Sequence, residues 1–237
     1  MPRTAATARR PGRDRRGYGQ FCGLARALDV VGERWTLLVV RELLTGPKRF
    51  SDLLESLPGL STSLLTVRLR TMEADGLVAR HRLPPPAASA VYLLSPRGHD
   101  LGEVVKRLAV WGLPLLDGRV AGDVFRPSWL AFYADTVGDL TVTRGMHDIY
   151  EFQVAEDTFH VAADDGHLAV REGPSPRPPD VLVRCSMDTF TAIGLGHTTV
   201  AEATAAGAVE IEGSPEAVAR CLAVFTPRTT APADDRG

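Results

Sequence analysis

The segment that decides the fold, residues 46–94, reads GPKRFSDLLESLPGLSTSLLTVRLRTMEADGLVARHRLPPPAASAVYLL. Its first part has apolar residues at helical spacing, and Pro58-Gly59 ends the short helix that they predict. Ser61 can cap a second helix, which we expect from about Thr62 to Ala74 because its leucines share one face. Two helices joined by a tight turn predict a helix-turn-helix whose second helix enters the major groove of DNA.

A β-hairpin is predicted directly after these helices. Asp75-Gly76 ends the second helix, and residues 77–82 have the pattern of a strand. Residues 84–89 form the predicted hairpin tip, which three consecutive prolines make stiff, and Val91 to Leu94 is the return strand. The order helix, helix, hairpin is that of a winged helix.

This arrangement predicts different roles on DNA for two groups of residues. Side chains on the outer face of the second helix are expected to read bases. They are Thr62, Ser63, Thr66 and Arg70. Basic side chains around them are expected to contact DNA mostly through its phosphates. They are Lys48, Arg49, Arg80 and Arg82, and Arg68 is a further residue that is expected to bind DNA.

Several short motifs between residues 20 and 113 occur at the spacing seen in one bacterial family. They are Cys22, Gly32-Glu33-Arg34-Trp35-Thr36, Val40-Arg41-Glu42-Leu43, Arg49-Phe50-Ser51-Asp52-Leu53, Leu65-Thr66-Val67-Arg68-Leu69-Arg70, Asp75-Gly76-Leu77-Val78, Tyr92-Leu93-Leu94-Ser95 and Trp111. In these motifs the chain resembles the HxlR-type regulators. The resemblance implies a dimeric transcriptional regulator that binds double-stranded operator DNA.

Two flanking helices carry more apolar surface than a single winged helix needs. The first is expected from about Gln20 to Val31, and the second follows the capping pair Ser95-Pro96. Their apolar stripes predict a homodimer interface. Its expected members are Leu24, Leu28, Leu108 and Trp111.

The charge of the chain is divided between its two halves. Residues 1–113 contain 18 Lys and Arg against 10 Asp and Glu, whereas residues 114–237 contain 9 against 19. This division favours a first half that binds nucleic acid and a second half with another task.

The sequence has no apolar run of about 18 residues and only three cysteines. We therefore expect no membrane partner and a cytoplasmic, nucleoid-associated protein.

Composition also divides the chain into segments. Residues 1–19 are predicted to be a disordered basic arm, which either contacts DNA or is simply a solvated tail. The winged helix follows at 20–113, a linker at 114–126, a second domain at 127–226 and a disordered tail at 227–237.

The second domain has strands, an Asp-Gly turn, Gly194-Leu195-Gly196 and a final strand-to-helix step at Val209–Ser214. These features resemble sterol carrier protein type 2-like domains. The resemblance implies an apolar tunnel and a small apolar effector. The expected pocket residues are Phe152, Phe159, Val161, Leu168, Phe190, Ile193, Leu222 and Phe225. The predicted fold class is therefore α+β, a winged helix followed by a mixed sheet covered by helices.

No pattern of catalytic residues is present. The sequence has no phosphate-binding Gly-Lys-Ser/Thr loop and no Gly-x-Ser-x-Gly elbow, and its histidines lack metal-ligand spacing. We therefore predict no enzyme, no catalytic residue, no cofactor and no metal site.

Cys22 is the one candidate for chemistry, because a helix N-terminus and nearby cations lower the pKa of a thiol. In some HxlR-type regulators this position holds a sensor of oxidants or electrophiles. The alternative is a small packing residue.

Three functions remain open at this point. The first is a regulator controlled by an apolar effector in the second domain, and the second is a thiol-based redox switch at Cys22. The third is an enzyme or lipid carrier tethered to DNA. Release of DNA by a lipid-like ligand from a Cys22→Ser variant favours the first function, and loss of the response to diamide alone favours the second.

Overall fold

The computed structural model describes residues 17–84, 89–116, 123–131 and 138–225. The predicted C-terminal tail and all but the last three residues of the predicted arm lie outside these ranges, as do residues 85–88 of the hairpin tip. The predicted linker is described only at 114–116 and 123–126.

The first half has the predicted order of helices and hairpin. Its elements are α1 (Gly23–Val31), α2 (Thr36–Leu44), β1 (Lys48–Arg49), α3 (Phe50–Ser56), α4 (Thr62–Ala74), β2 (Val78–Arg82) and β3 (Ala90–Leu94). The strands form one antiparallel sheet in the order β1-β3-β2, in which β1 is an addition to the predicted hairpin. The core below the sheet is aliphatic, and Leu43, Leu53 and Leu65 are at most 1% exposed.

The chain after Ser95 differs from the single helix that the sequence predicted. It forms α5 (Pro96–His99) and then α6 (Gly102–Gly112), followed by a 3₁₀ turn at Leu113–Leu115. A Cβ atom at Gly98 would lie 2.1 Å from the carbonyl oxygen of Leu77, so this glycine allows α5 to approach the wing closely.

The second half contains a five-stranded mixed sheet. Its strands are β4 (His147–Val154), β5 (Asp157–Asp164), β6 (His167–Glu172), β7 (Val181–Cys185) and β8 (Val209–Gly213). They lie in the order β6-β5-β4-β7-β8, and only the β4–β7 pair is parallel. The tight turn between β5 and β6 has positive φ at Asp165 and Gly166, as an Asp-Gly hairpin requires.

Four helices of the described residues accompany this sheet. They are α7 (Pro127–Ala131), α8 (Met187–Gly194), α9 (Val200–Ala205) and α10 (Pro215–Phe225). The buried face of α10 consists of Ala217, Cys221 and Val224, which are spaced four and three residues apart. Leu222, which was expected in a pocket, is 36% exposed because it lies one residue beyond this face.

The other residues expected to line a pocket contact one another. The rings of Phe152 and Phe159 stack with their centroids 5.1 Å apart, and Phe190 meets Phe159 edge-on at 6.0 Å. Phe225 meets Phe152 edge-on at 5.7 Å. Such edge-to-face and stacked contacts are those of a packed aromatic core. Val161 is buried in the same core, Leu168 packs against it, and Ile193 is half-buried.

An ion pair joins α10 to the sheet. Arg220 Nε donates to Asp148 Oδ2 over 2.6 Å, and the hydroxyl of Tyr150 donates to the same oxygen over 3.0 Å. Burial alone raises the pKa of Asp148, but the hydrogen bonds from Arg220 and Tyr150 outweigh burial and leave this pKa below its ordinary value. The carboxylate is therefore the stable form of Asp148 in the folded protein.

Candidate nucleic-acid interface

The N-terminal turn of α4 is open to solvent. Ser61 caps the helix, because its Oγ accepts the backbone N–H of Leu64 over 3.3 Å. Thr62 and Ser63, which follow the cap, are exposed as predicted. In helix-turn-helix proteins this turn of the second helix contacts base edges.

The remaining outer face of α4 differs from the prediction in two details. Arg70 is exposed, but Thr66 is half-buried and its hydroxyl donates to the carbonyl oxygen of Thr62 over 2.8 Å. Val67 is 56% exposed and lies between Ser63 and Arg70 on the same face. Val67 was not predicted to contact DNA because it is apolar, although its spacing of four from Ser63 and three from Arg70 places it on this face.

Arg68 is not available for DNA, contrary to the prediction. Its side chain is buried, and Nη2 lies 3.2 Å from Oε2 of Glu33. Arg68 is adjacent to Leu69 and three residues from Leu65, so it belongs to the inner face of α4. We correct its role to that of an internal ion-pair partner.

Basic side chains follow one face of the small sheet. Lys48 and Arg80 are both directly opposite Tyr92, and Arg82 is two residues after Arg80 on the same strand. Residues directly opposite one another, and alternate residues of one strand, share a face. Arg80 and Arg82 are exposed, whereas Lys48 is half-buried with Nζ 3.8 Å from Oε2 of Glu42.

Arg49 lies apart from this row. Its side chain is exposed, and its backbone N–H donates to Oδ2 of Asp52 over 2.9 Å at the start of α3. The capping bond fixes the backbone of Arg49 beside the helix-turn-helix and leaves its guanidinium group in solvent. Arg49, Arg80 and Arg82 are therefore accessible, as a phosphate contact requires.

A second surface, on α1 and α6, is apolar and exposed. The predicted interface residues Leu24, Leu28, Leu108 and Trp111 are 68%, 37%, 46% and 70% exposed. Three further apolar residues, Phe21, Val104 and Leu115, are also exposed. An exposed apolar patch of this kind is typical of a protein–protein contact.

Cys22 is exposed at the N-cap of α1. The backbone N–H groups of Ala25 and Leu24 lower the pKa of its thiol, which favours the thiolate. Arg26, a cation four residues after Cys22, is 3.3 Å from Asp29 and forms an ion pair with it. The free N–H groups of the helix terminus are therefore the cause of the lowered pKa.

The two other cysteines differ from Cys22. Burial raises the pKa of Cys221 to about 12 and also raises that of Cys185. Both pack in the core of the second half.

Among residues 17–84, 89–116, 123–131 and 138–225, no cluster of three or more His, Cys, Asp or Glu side chains could hold a metal ion. No helix in that part of the chain is long and apolar enough to cross a membrane.

Two family profiles match the sequence. The profile of the HxlR-like helix-turn-helix family matches residues 30–118, and the profile named alkyl sulfatase C-terminal matches residues 146–231. The second match does not confirm the resemblance to sterol carrier domains.

Related proteins match the first half. An uncharacterised HTH-type transcriptional regulator from Synechocystis is 37% identical over 37% of this chain and 64% of its own length, slightly under two thirds. A solved structure of reduced YodB from Bacillus subtilis is 29% identical over 42% of this chain and 100% of that chain, with a TM-score of 0.37. Among curated sequences, two B. subtilis regulators, one of them YodB itself, are each 33% identical. They are the uncharacterised regulator YvaP, matched over 39% of this chain and 85% of its own length, and the regulator YodB, matched over 36% and 76%. With these matches, the chain belongs to the HxlR-like helix-turn-helix family of transcriptional regulators.

Proposed function

We propose that this protein is a dimeric regulator that reads operator DNA with α4 and holds the DNA backbone with the basic face of its small sheet. The observation that carries the proposal is the exposed row Ser63, Val67 and Arg70 on α4. It combines a hydroxyl, an apolar side chain and a guanidinium group. These are groups that recognise base edges and the thymine methyl group in the major groove.

The charge of the chain supports this assignment of halves. Lys and Arg exceed Asp and Glu by eight in residues 1–113, whereas acids exceed bases by ten in residues 114–237. Phosphates attract the first half and repel the second. The winged helix therefore binds the DNA, and the second half stays away from it.

Dimer formation completes the proposal. The exposed apolar residues of α1 and α6 would be covered by the same residues of a second copy, which gives a two-fold contact. A two-fold dimer presents two α4 helices about one DNA turn, roughly 34–36 Å, or a multiple of it apart, so the operator should be a near-palindrome.

Two groups of variants separate base reading from phosphate binding. Arg80→Ala should weaken binding to all DNA sequences alike and lower the slope of log affinity against log salt by about one. Arg70→Ala and Val67→Ala should instead change which sequences are preferred, with a cost of about 1–3 kcal/mol at the base pair that Arg70 contacts. The measurement is selection of sites from a randomised duplex pool, followed by salt titration of the selected sites.

Arg184→Ala is a matched control for these variants, because Arg184 is an arginine on the second sheet, paired with Glu210 and Glu212. It should leave both the salt slope and the selected sequence unchanged. If Arg80→Ala alters sequence preference while Arg70→Ala leaves it intact, the two roles are reversed and the proposed orientation of α4 is wrong.

A second candidate function is control by oxidation of Cys22. Its exposure and lowered thiol pKa favour it over Cys185 and Cys221. Diamide with a small thiol would form a mixed disulfide at Cys22, with two electrons and two protons passing from the two thiols to diamide. We expect operator release on this treatment in the native chain and none in Cys22→Ser, as scored by gel shift. Equal release from both proteins would remove Cys22 as a sensor.

The apolar effector is not part of this proposal. The aromatic side chains expected to line a pocket in the second half contact one another instead. Control of DNA binding by the second half therefore needs a different physical connection, which the contacts of α2 suggest.

A further inference from the structure

A buried carboxylate lies on α2, beside the small sheet. Glu42 is 2% exposed, and a buried charge is stable only when charged or hydrogen-bonding groups surround it. Arg41 donates to Oε1 from Nη2 over 2.7 Å and from Nε over 3.1 Å. Nζ of Lys48 lies 3.8 Å from Oε2, which is a loose ion pair.

The third partner of this carboxylate comes from outside the winged helix. The indole Nε1 of Trp129 donates to Oε1 of Glu42 over 2.9 Å. The same indole ring lies below the guanidinium group of Arg41, 4.2 Å from its Cζ, which is close enough for a cation–π contact. Arg126 adds a hydrogen bond of 2.8 Å from Nη2 to the carbonyl oxygen of Glu55. We call residues 126–129 the strap.

The strap is also attached to the second sheet. Helix α7, which contains Trp129, packs against β6 and β5. The backbone N–H of Ser128 lies 3.4 Å from Oε1 of Glu172, at the end of β6. The strap thus joins the second sheet to α2 through contacts at both ends.

Glu42 connects the strap to the DNA-binding surface. Lys48 shares the face of the small sheet with Arg80 and Arg82, and its side chain is 23% exposed. Its ammonium group, which lies 3.8 Å from Glu42, is therefore also open to an anion from solvent, such as a DNA phosphate. The donors around Glu42 share one negative charge. If one donor is removed, the negative charge of the buried carboxylate is less well compensated. The carboxylate then attracts the remaining cations more strongly.

We propose that Trp129 is a positioning residue for the DNA-binding surface: by donating to Glu42 it keeps the Glu42–Lys48 ion pair weak, so that Lys48 can exchange Glu42 for a DNA phosphate. Loss of the strap contact draws Lys48 onto Glu42 and removes one phosphate contact. The second half therefore controls DNA affinity through Trp129 without touching DNA. This inference rests on the proposed function, because it requires that the winged helix binds DNA.

The test uses Trp129→Phe, which keeps an aromatic ring over Arg41 but removes the N–H donor. The probe is a labelled 25-base-pair duplex of mixed sequence, since phosphate contacts do not depend on sequence. Fluorescence anisotropy is measured with the full chain across a KCl titration. We expect Trp129→Phe to lower the salt slope by about one, as Lys48→Ala should, and the double variant to show no further decrease.

Glu42→Gln supplies the matched background, because its side chain has the same shape and no charge to hold Lys48. In this background Trp129→Phe should leave the salt slope unchanged, an outcome that a purely structural role for Trp129 would not produce. If Trp129→Phe proves unstable in melting curves, β-(3-benzothienyl)alanine at position 129 keeps the fused ring and removes the N–H. It should give the same decrease in slope.

The outcomes separate this inference from the proposed function. A native chain that binds the duplex with a salt-dependent affinity, while Trp129→Phe keeps the full slope, would overturn the role of Trp129 alone. Additive decreases from Lys48→Ala and Trp129→Phe would also overturn it, because two independent phosphate contacts would then have been lost. A native chain with no affinity for the duplex at any KCl concentration would overturn the proposed function itself.

Discussion

Replacing Trp111 by Glu is expected to convert the dimer into monomers and to weaken binding to a palindromic operator by at least about 100-fold, or 2.7 kcal/mol. Trp111 is 70% exposed on α6, near the exposed Leu108. A carboxylate at this position would be buried without a partner in the proposed two-fold contact, which is strongly unfavourable. A monomer also loses the gain in affinity that comes from two linked half-sites. Sedimentation velocity and gel shift measure the two effects.

Leu38→Glu is the control for this variant. Leu38 is also an exposed apolar residue, 40% exposed, but it lies on α2 and outside the proposed contact. The Leu38→Glu variant should therefore remain dimeric. A native chain that is monomeric at micromolar concentration and still protects one isolated half-site would contradict the dimer.

Replacing Phe159 by Ala is expected to destabilise the second half by about 3–5 kcal/mol. Phe159 is 1% exposed and contacts Phe152 and Phe190, so its removal leaves a cavity bounded by aromatic rings. Urea unfolding followed by circular dichroism measures the loss. The winged helix has a separate core, so binding to DNA at low urea should persist.

Ile193→Ala is the companion variant, because Ile193 belongs to the same expected pocket but is only half-buried on α8. It should cost about 1 kcal/mol or less. A loss below about 1 kcal/mol for Phe159→Ala as well would mean that the aromatic cluster is loosely packed. That result would restore the effector pocket that the sequence predicted.

Sequence predicted the parts of the fold that local patterns determine. The bounds of α4, Thr62–Ala74, agree with the prediction because a serine cap and an Asp-Gly stop mark both ends. The strand His167–Glu172 begins directly after the predicted Asp-Gly turn, because this turn fixes where the strand starts. These signals lie within a few residues of the elements that they define.

The site was predicted less completely, for two different reasons. Arg68 was assigned to DNA by its charge, although its spacing from Leu65 and Met72 already placed it on the inner face of α4. The contact of Trp129 with Glu42 could not be predicted, because no local pattern joins residues 87 positions apart. Helical periodicity, applied to charged residues as well, would have corrected the first error but not the second.

The separation between Glu42 and Trp129 has a consequence for biosynthesis. Ribosomes add about 5–20 residues per second, so roughly 4–17 seconds pass between the synthesis of Glu42 and that of Trp129. During this interval the carboxylate of Glu42 has Arg41 and Lys48 as its partners among the described residues of the winged helix. The DNA-binding half therefore folds first without the indole N–H that Trp129 donates to Glu42. That hydrogen bond forms only after residue 129 reaches the ribosome surface.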